Sequence, residues 1–405
     1  MKILFLTLLD FDSVYEHNIY TDLLREFIQN KHEVFVISPI ERKKNEKTHF
    51  VVEESSKILK LRIGNIQKTN VIEKGISTIL LESTVIKGIK KYFSDVKFDL
   101  VLYSTPPITL QKAVAYVKKR DNAFTYLMLK DIFPQNAIDI GIISKKGLMS
   151  VIYKFFRSKE KELYKLSDHI GCMSQANCDY LLRNNNYLNK NNVSICPNCI
   201  DIIDMRIDDF EKEKLRTKYG IPLNKKVFIY GGNLGRPQDI SYIIKCLKSQ
   251  LNVENKFFLI VGDGTEFSKL ESFFSEFKPK NMKLMKRLPK EDYDKMIASC
   301  DIGLIFLDHR FTIPNFPSRL LSYMQAGLPV LACTDSNTDI GKVIVNGEFG
   351  WWCESSDEDE FSKILFKIDK ENIEIKKSNS YKYLVDNYSS KSGYNIIMKS
   401  INNRM

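Results

Sequence analysis

Apolar residues along the chain fall into two alternating patterns: short continuous runs, and longer segments whose apolar positions recur at helical spacing. The runs at 2–9, 33–38, 100–103, 124–129 and 170–173 read as buried strands, while 18–30 and 111–119 read as helices. After a polar stretch at 201–224 the cadence restarts, with strand-like runs at 227–230, 257–261, 282–285, 302–307 and 329–333. Strands alternating with helices predict parallel sheets covered by helices. The restart predicts two such lobes, with the boundary at 200–210. We therefore expect a first Rossmann-like domain at 1–203, a second at 204–378, and a helical tail at 379–405 that crosses back onto the first. Ligand is expected in a cleft between the lobes.

Size agrees with this division, since 405 residues with 43% hydrophobic content can bury two cores. The opening MKILFLTLL carries one Lys, ends in Asp10-Phe11-Asp12 and lacks a small-residue cleavage site, so it reads as a first buried strand and not as a leader. No stretch approaches the ~18 uninterrupted apolar residues of a spanning helix. The eight cysteines are scattered through a Lys-rich chain, a usage that fits reduced thiols in a cytoplasm. Cys196-Pro197-Asn198-Cys199 has CxxC spacing, but it lacks a second ligand pair for zinc and the helix start that a redox motif needs. It reads as a strand-to-loop connection.

Charge changes the picture of partners. The net +11 is uneven: residues 1–200 hold 30 Lys+Arg against 21 Asp+Glu, so the basicity belongs to the first half. No nucleic-acid module accompanies it, which leaves an anionic membrane surface as the expected partner. The segment 144–166 is a candidate contact. Leu148, Ile152, Phe155, Phe156 and Leu163 share one side, rimmed by Lys145, Lys146, Lys154, Arg157, Lys159, Lys161 and Lys165. A core helix with a solvated Lys face has the same pattern, so both readings stand.

Candidate chemistry clusters after the strands of the second half. Tyr230-Gly231-Gly232-Asn233-Leu234-Gly235-Arg236 follows its first strand, where small residues let backbone N–H groups approach a phosphate and Arg236 adds a charged fork. A tight turn without ligand has the same composition. Gly262-Asp263-Gly264 follows the next strand, but it lacks the third glycine and the ribose-binding acid of an NAD site. In TIPNFPSRLLSYMQAGLPV, Ser318 is a candidate helix cap and Arg319 a candidate phosphate partner for a helix that begins near Pro317. The three loops are expected to converge on one diphosphate.

In order and spacing, the stretches at 19–39, STPPITL at 104–110, LKDIFPQNAIDIG at 129–141, YGGNLGRPQDI at 230–240, VGDGTEF at 261–267 and the Ser318-Arg319 motif resemble the retaining glycosyltransferases of family 4. The resemblance is greatest to the capsule and O-antigen branch that includes N-acetyl-L-fucosaminyltransferases. It implies an α/β GT-B fold, two Rossmann-like parallel-sheet lobes facing a central cleft. It also implies transfer of a sugar, such as N-acetyl-L-fucosamine, from a UDP-sugar to an undecaprenyl-diphosphate-linked saccharide at the inner face of the cell membrane.

By the same resemblance, Gly232 and Asn233 face the diphosphate, and Asp263, Gly264 and Arg287 lie near the nucleoside. Ser318, Arg319 and Leu320 contact the distal phosphate and ribose. Asp131 matches the acidic member of a His-Asp position, where the His is here Lys130. Asp12, His17 and Asn18 stand where relatives meet the acceptor, with Ser104 ending a neighbouring strand. The family's paired glutamates are absent, replaced by Pro314 and Ser322, and an Arg/Lys pair is replaced by Asn233 and Gln238. Phosphate neutralisation then falls on Arg236, Arg319, Lys130 or backbone N–H groups. No DxD motif is present in a suitable loop, so no metal is expected. Two alternatives stay open: a UDP-sugar epimerase of the same architecture, and a non-catalytic nucleotide-sugar-binding protein.

Overall fold

The computed structural model describes residues 1–66, 69 and 71–403. The chain divides into two compact units, Met1–Asp201 with Ser390–Met405, and Ile202–Ser389. In the first unit, eight strands form one sheet: β1 (Lys2–Leu6), β2 (Glu33–Glu41), β3 (His49–Glu53), β4 (Ser56–Ile63), β5 (Leu100–Ser104), β6 (Phe124–Leu129), β7 (His169–Cys172) and β8 (Val193–Ile195). Their order is β3-β4-β2-β1-β5-β6-β7-β8. Every pairing is parallel except β3 with β4. The central strands are buried along their length because helices cover both faces, which is why they appear in the sequence as unbroken apolar runs.

The second unit holds six parallel strands: β9 (Lys226–Asn233), β10 (Lys256–Asp263), β11 (Met282–Lys286), β12 (Ile302–Phe306), β13 (Val330–Thr334) and β14 (Gly350–Glu354). They are ordered β11-β10-β9-β12-β13-β14. In each unit the strand order reverses once, between β1 and β5 and between β9 and β12. At such reversals the crevice beyond the carboxyl ends of the strands is open to a ligand.

Several elements depart from the pattern-based reading. Strand β4 was not anticipated, because its Lys60 suggests a surface. Lys60 is only 1% exposed, and its ammonium is met by Asp10 at 2.5 Å, Asp12 at 2.6 Å and the Phe11 carbonyl at 2.8 Å. The expected tail helix is two helices. Glu374–Asn387 packs in the second unit, with Ser380 Oγ donating to the Leu328 carbonyl. Ser390–Asn402 packs in the first, burying Ile397 and Ile401 in the same core as Leu23 and Phe27.

The unit boundaries therefore lie at 201/202 and 389/390, not at 203/204 and 378/379. The reason is a polar clasp. Ser390 Oγ donates to Asp201 at 2.6 Å, and Arg25 holds the other oxygen of that carboxylate through two N–H groups at 2.9 and 2.8 Å. Residues 404 and 405 of the expected tail lie outside the described residues.

Candidate functional site

In the second unit the site is built where β9 and β10 end. Gly232 pairs with Gly262 and Asn233 with Asp263, so the two loops leave the sheet side by side. They fit because side chains are missing. A Cβ on Gly262 would overlap the Gly232 carbonyl oxygen, and one on Gly264 would overlap the Leu234 carbonyl. One on Gly231 would overlap the Tyr293 hydroxyl. Gly232 also has φ +127°, which a side chain rarely tolerates. The glycine-rich loop is thus demanded by close approach, as its composition implied.

Arg319 lies against this loop. Its guanidinium carbon is 4.5 Å from the Tyr230 ring centroid, and guanidinium atoms come within 3.4 Å of where a Gly232 side chain would begin. Nη1 is buried and, among the described residues, has no hydrogen-bond partner. A buried donor left unpaired costs about 1–3 kcal/mol, more when charged. The stacked fork is therefore preorganised for a bidentate anion such as a phosphate. Tyr323, one helical turn on, fixes the strand reversal from below. Its hydroxyl accepts from Gly231 N at 3.2 Å and lies 3.1 Å from the Leu304 carbonyl, tying β9 to β12. Tyr230, Tyr293 and Tyr323 were not foreseen as part of this site. Only the i+4 spacing of Tyr323 from Arg319 hinted at one of them.

The other expected residues of this unit separate into groups. Asn233 Nδ2 donates to Gln238 Oε1 at 2.9 Å, so the residues standing in place of a cationic pair satisfy each other as neutral amides. Arg236 is largely exposed, with Nε 3.9 Å from Glu266. Asp263 accepts from Gly264 N at 2.9 Å, and Arg287 is an exposed side chain just past β11. Pro317 is half-buried. Ser318 does not cap: it is itself helical, makes no capping hydrogen bond, and precedes a helix of only seven residues, Arg319–Gln325. Leu320 is fully buried and its N–H is 3.3 Å from the Pro317 carbonyl, so it packs the core and offers a ligand nothing.

In the first unit, β5 ends at Ser104, and Asp131 lies two residues past the end of β6. Thr105 Oγ1 accepts from Lys130 N and Asp131 N, at 3.1 and 3.3 Å, and lies 3.0 Å from the Asp131 carbonyl, which pins the turn. No hydrogen bond or ion pair holds the Asp131 carboxylate among the described residues, and burial raises its pKa to about 6. Tyr20 lies alongside. Burial raises its hydroxyl pKa, the neighbouring Ser104 hydroxyl opposes this, and the Asp131 charge adds to it. Lys130 does not face a ligand. It is buried beside Cys172, Cys196 and Cys199, and burial lowers its pKa. The expected role in phosphate binding is corrected accordingly.

Asn18 is also committed elsewhere: its Oδ1 accepts from Tyr20 N and Thr21 N, at 2.9 and 3.1 Å, just ahead of the helix Thr21–Gln29. His17 Nδ1 is 3.1 Å from Arg25 Nη2 and forms part of the clasp. Asp12 remains exposed while bridging to Lys60.

Among the described residues two groups have metal-like composition, His17/Asp22/Asp201 and Asp239/Asp308/His309. In each, an arginine already holds carboxylates: Arg25 binds Asp22 and Asp201, and Arg310 binds Asp308 through Nε at 2.9 Å. Cys196 and Cys199 are buried free thiols, with burial the first cause pushing Cys199 up to about 12. Burial raises the Cys196 thiol as well, and a raised thiol carries little thiolate, which fits a structural place for the pair.

In segment 144–166 the expected single apolar face divides. Leu163 is in the core, Phe156 packs on Phe133 at 5.0 Å between ring centroids, and Arg157 turns inward to Glu160. Leu148, Val151, Ile152 and Phe155 remain exposed, Leu148 at 93% and Val151 at 67%.

Residues 211–385 match the family described as glycosyl transferases group 1, a match that lies within the second unit. The probable glycosyltransferase WbjE of Pseudomonas aeruginosa is 24% identical over 278 residues, 67% of this chain and 66% of its own length. The chain thus spans just under two thirds of that relative. Among solved structures, sucrose-phosphate synthase from Thermosynechococcus elongatus aligns with TM-score 0.75 at 11% identity, over 100% of this chain and 98% of that one. Anabaena HepE, solved in complex with UDP and glucose, aligns with TM-score 0.69 at 15% identity over the whole of both chains. The fold is GT-B, the two-lobed α/β fold of glycosyltransferases.

Proposed function

We propose that this protein is a retaining glycosyltransferase of family 4, which moves a sugar from a UDP-sugar held by the second unit to a lipid-linked saccharide held by the first. The observation that carries the reading is Arg319: a buried, stacked guanidinium with an unpaired N–H, set against a glycine loop that has no room for side chains. As the bond from the sugar's anomeric carbon to the diphosphate breaks, charge gathers on the departing phosphate. A fixed donor at that point stabilises the transition state more than the ground state. With no glutamate at 314 or 322 to act as nucleophile, the acceptor oxygen bonds on the face the phosphate leaves, and the departing phosphate oxygen takes its proton. Asp131 orients the acceptor hydroxyl. The reaction runs without a metal.

UDP as the nucleotide is supported by the HepE complex with UDP and glucose. A role in bacterial surface polysaccharide synthesis is supported by WbjE and by WaaG, a glycosyltransferase involved in lipopolysaccharide biosynthesis. An N-acetylated deoxy-sugar such as N-acetyl-L-fucosamine is the donor favoured by the sequence resemblance. Among the described residues no helix is long and apolar enough to cross a membrane. The exposed Leu148, Val151, Ile152 and Phe155, beside Lys145, Lys146, Lys154 and Lys161, suit peripheral attachment to the anionic inner face of the cell membrane.

Thermal shift with UDP, GDP, CDP and NAD tests the donor site, since a ligand at a hundred times its Kd adds about 2.7 kcal/mol to stability. UDP-selective stabilisation is expected. Silence toward UDP overturns the donor assignment, and UDP release without acceptor dependence overturns the transferase in favour of an epimerase.

A further inference from the structure

Tyr293 stands on the helix Lys290–Ala298, which packs against the helix Arg319–Gln325 in the second unit. A tyrosine on such a helix ordinarily fills the core with its ring and fastens helix to sheet with its hydroxyl. Tyr323 does both. Its hydroxyl accepts from Gly231 N at 3.2 Å and lies 3.2 and 3.1 Å from the Ile229 and Leu304 carbonyls, so its one proton is used within the fold. Tyr293 differs. Its hydroxyl is buried, takes the space that a Gly231 side chain would need, and has no hydrogen-bond partner among the described residues. Burial first, and then Tyr323 beside it, pushes its pKa well above that of a free phenol, while Arg319 is near enough to oppose the rise. The group therefore keeps its proton and offers an O–H.

Arg319 has the matching feature one glycine further on. Its Nη2 and Nη1 lie 3.4 and 3.5 Å from where a Gly232 side chain would begin, and Nη1 is likewise buried without a partner among the described residues. Tyr230, Tyr323 and Tyr293 face the guanidinium, and no carboxylate pairs with it among those residues. Two consecutive glycines at the carboxyl end of β9 thus have two unpartnered donors against them, one cationic and one neutral.

A phosphate satisfies both. Its charge answers the guanidinium, and it has oxygens left to accept from the phenol, in a hydrogen bond strengthened by the negative charge. A sugar hydroxyl or a base carbonyl would leave the guanidinium charge unanswered. We infer that Tyr293 Oη and Arg319 Nη1 hold one and the same phosphate, the one bonded to the sugar in the donor. The neutral phenol then does part of what a second cation would do, at a loop where Asn233 and Gln238 supply no charge and bond to each other. The inference rests on the donor site read above and adds Tyr293 to it as a ligand-binding residue.

The test is calorimetric titration of the full chain with UDP and with UMP, which lacks that phosphate, alongside the melting temperature of the unliganded protein. Tyr293→Phe removes one oxygen and leaves the ring. It is expected to weaken UDP by about ten- to a hundredfold, the scale of a hydrogen bond to a charged group, and UMP by less than about twofold. Its melting temperature should equal or exceed that of the wild type, because the oxygen lost had no partner, whereas Tyr323→Phe should melt lower. Arg319→Ala should also weaken UDP, and the double variant should lose less than the product of the two single losses, since both groups act on one phosphate. Wild-type UDP affinity in Tyr293→Phe overturns the inference and leaves the donor reading standing. Equal losses for UMP and UDP overturn the assignment to the sugar-bearing phosphate. A melting temperature lowered as in Tyr323→Phe makes the phenol scaffold and overturns it too. A wild type that binds no UDP overturns the donor reading and this inference with it.

Discussion

Two arginines in this protein have opposite fates. Arg25, in the first unit, donates to Asp201, to Asp22 and to the Glu16 carbonyl, so its charge is spent on holding the helix Thr21–Gln29 to the chain at residue 201. Arg319, in the second, lies over an aromatic ring with Nη1 unpaired. Lys60 and Asp131 repeat the contrast within one unit: the lysine is neutralised by Asp10 and Asp12, whereas the carboxylate has no partner among the described residues. Burial alone therefore does not mark a site. A buried charge satisfied by the fold is scaffold, and one left unsatisfied is held ready for something that binds.

Replacing each member of these pairs sharpens the distinction. Arg25→Ala strands two carboxylates and should cost about 3–5 kcal/mol of stability, read by chemical denaturation. The UDP-induced stabilisation should survive below the lowered melting point. Arg319→Ala should do the reverse, cutting turnover by about 10²- to 10³-fold while the melting temperature stays near wild type. Arg319→Lys should not restore turnover, because a point charge lacks the fork. Near wild-type turnover in Arg319→Ala would sink its role.

Asp131→Asn should reduce turnover by about 10²-fold, the scale of misplacing the acceptor hydroxyl that the carboxylate orients, without changing the UDP response. Its pH behaviour provides a second check. The folded-state pKa of about 6 lies above the ordinary aspartate value of 3.8, so the fold favours the protonated carboxyl. Stability tied to this group is fully present below pH 3.8 and is lost as pH rises through about 6. Asp131→Asn should thus be more stable than wild type at pH 8, by at most about 3 kcal/mol, with the gap closing on acidification. Wild-type activity should fall below about pH 6, a fall that the Asn variant lacks. Smallest in expected effect is Gly231→Ala. It must move Tyr293 and should cost about 1–3 kcal/mol of stability, with UDP affinity reduced as the loop shifts.

Much of this architecture was legible before any coordinates. The unbroken apolar runs marked parallel strands, because a strand buried on both faces has no polar side to show. Glycines at the ends of β9 and β10 marked a close approach, Arg319 was singled out by type and place, and Asp131 was pointed to by the family resemblance. What the chain concealed was the pairing of charges. Lys60 lies fifty residues from Asp10 and Arg25 lies 176 from Asp201, so no local pattern could show that one lysine belongs in a sheet or that one arginine is a clasp.

The same limit explains the corrections. Ser318 has the composition of a cap but enters the helix itself, Lys130 turns toward buried thiols instead of a ligand, and Arg157 turns away from the basic rim to Glu160. Sequence alone determined the central strands of both sheets, the glycine loops and the residue types at the strand ends, since these follow from short-range periodicity and backbone sterics. Only the tertiary structure decided which charges are satisfied and which are left open, because a charge is neutralised by whatever the fold brings within a few ångströms, however distant along the chain.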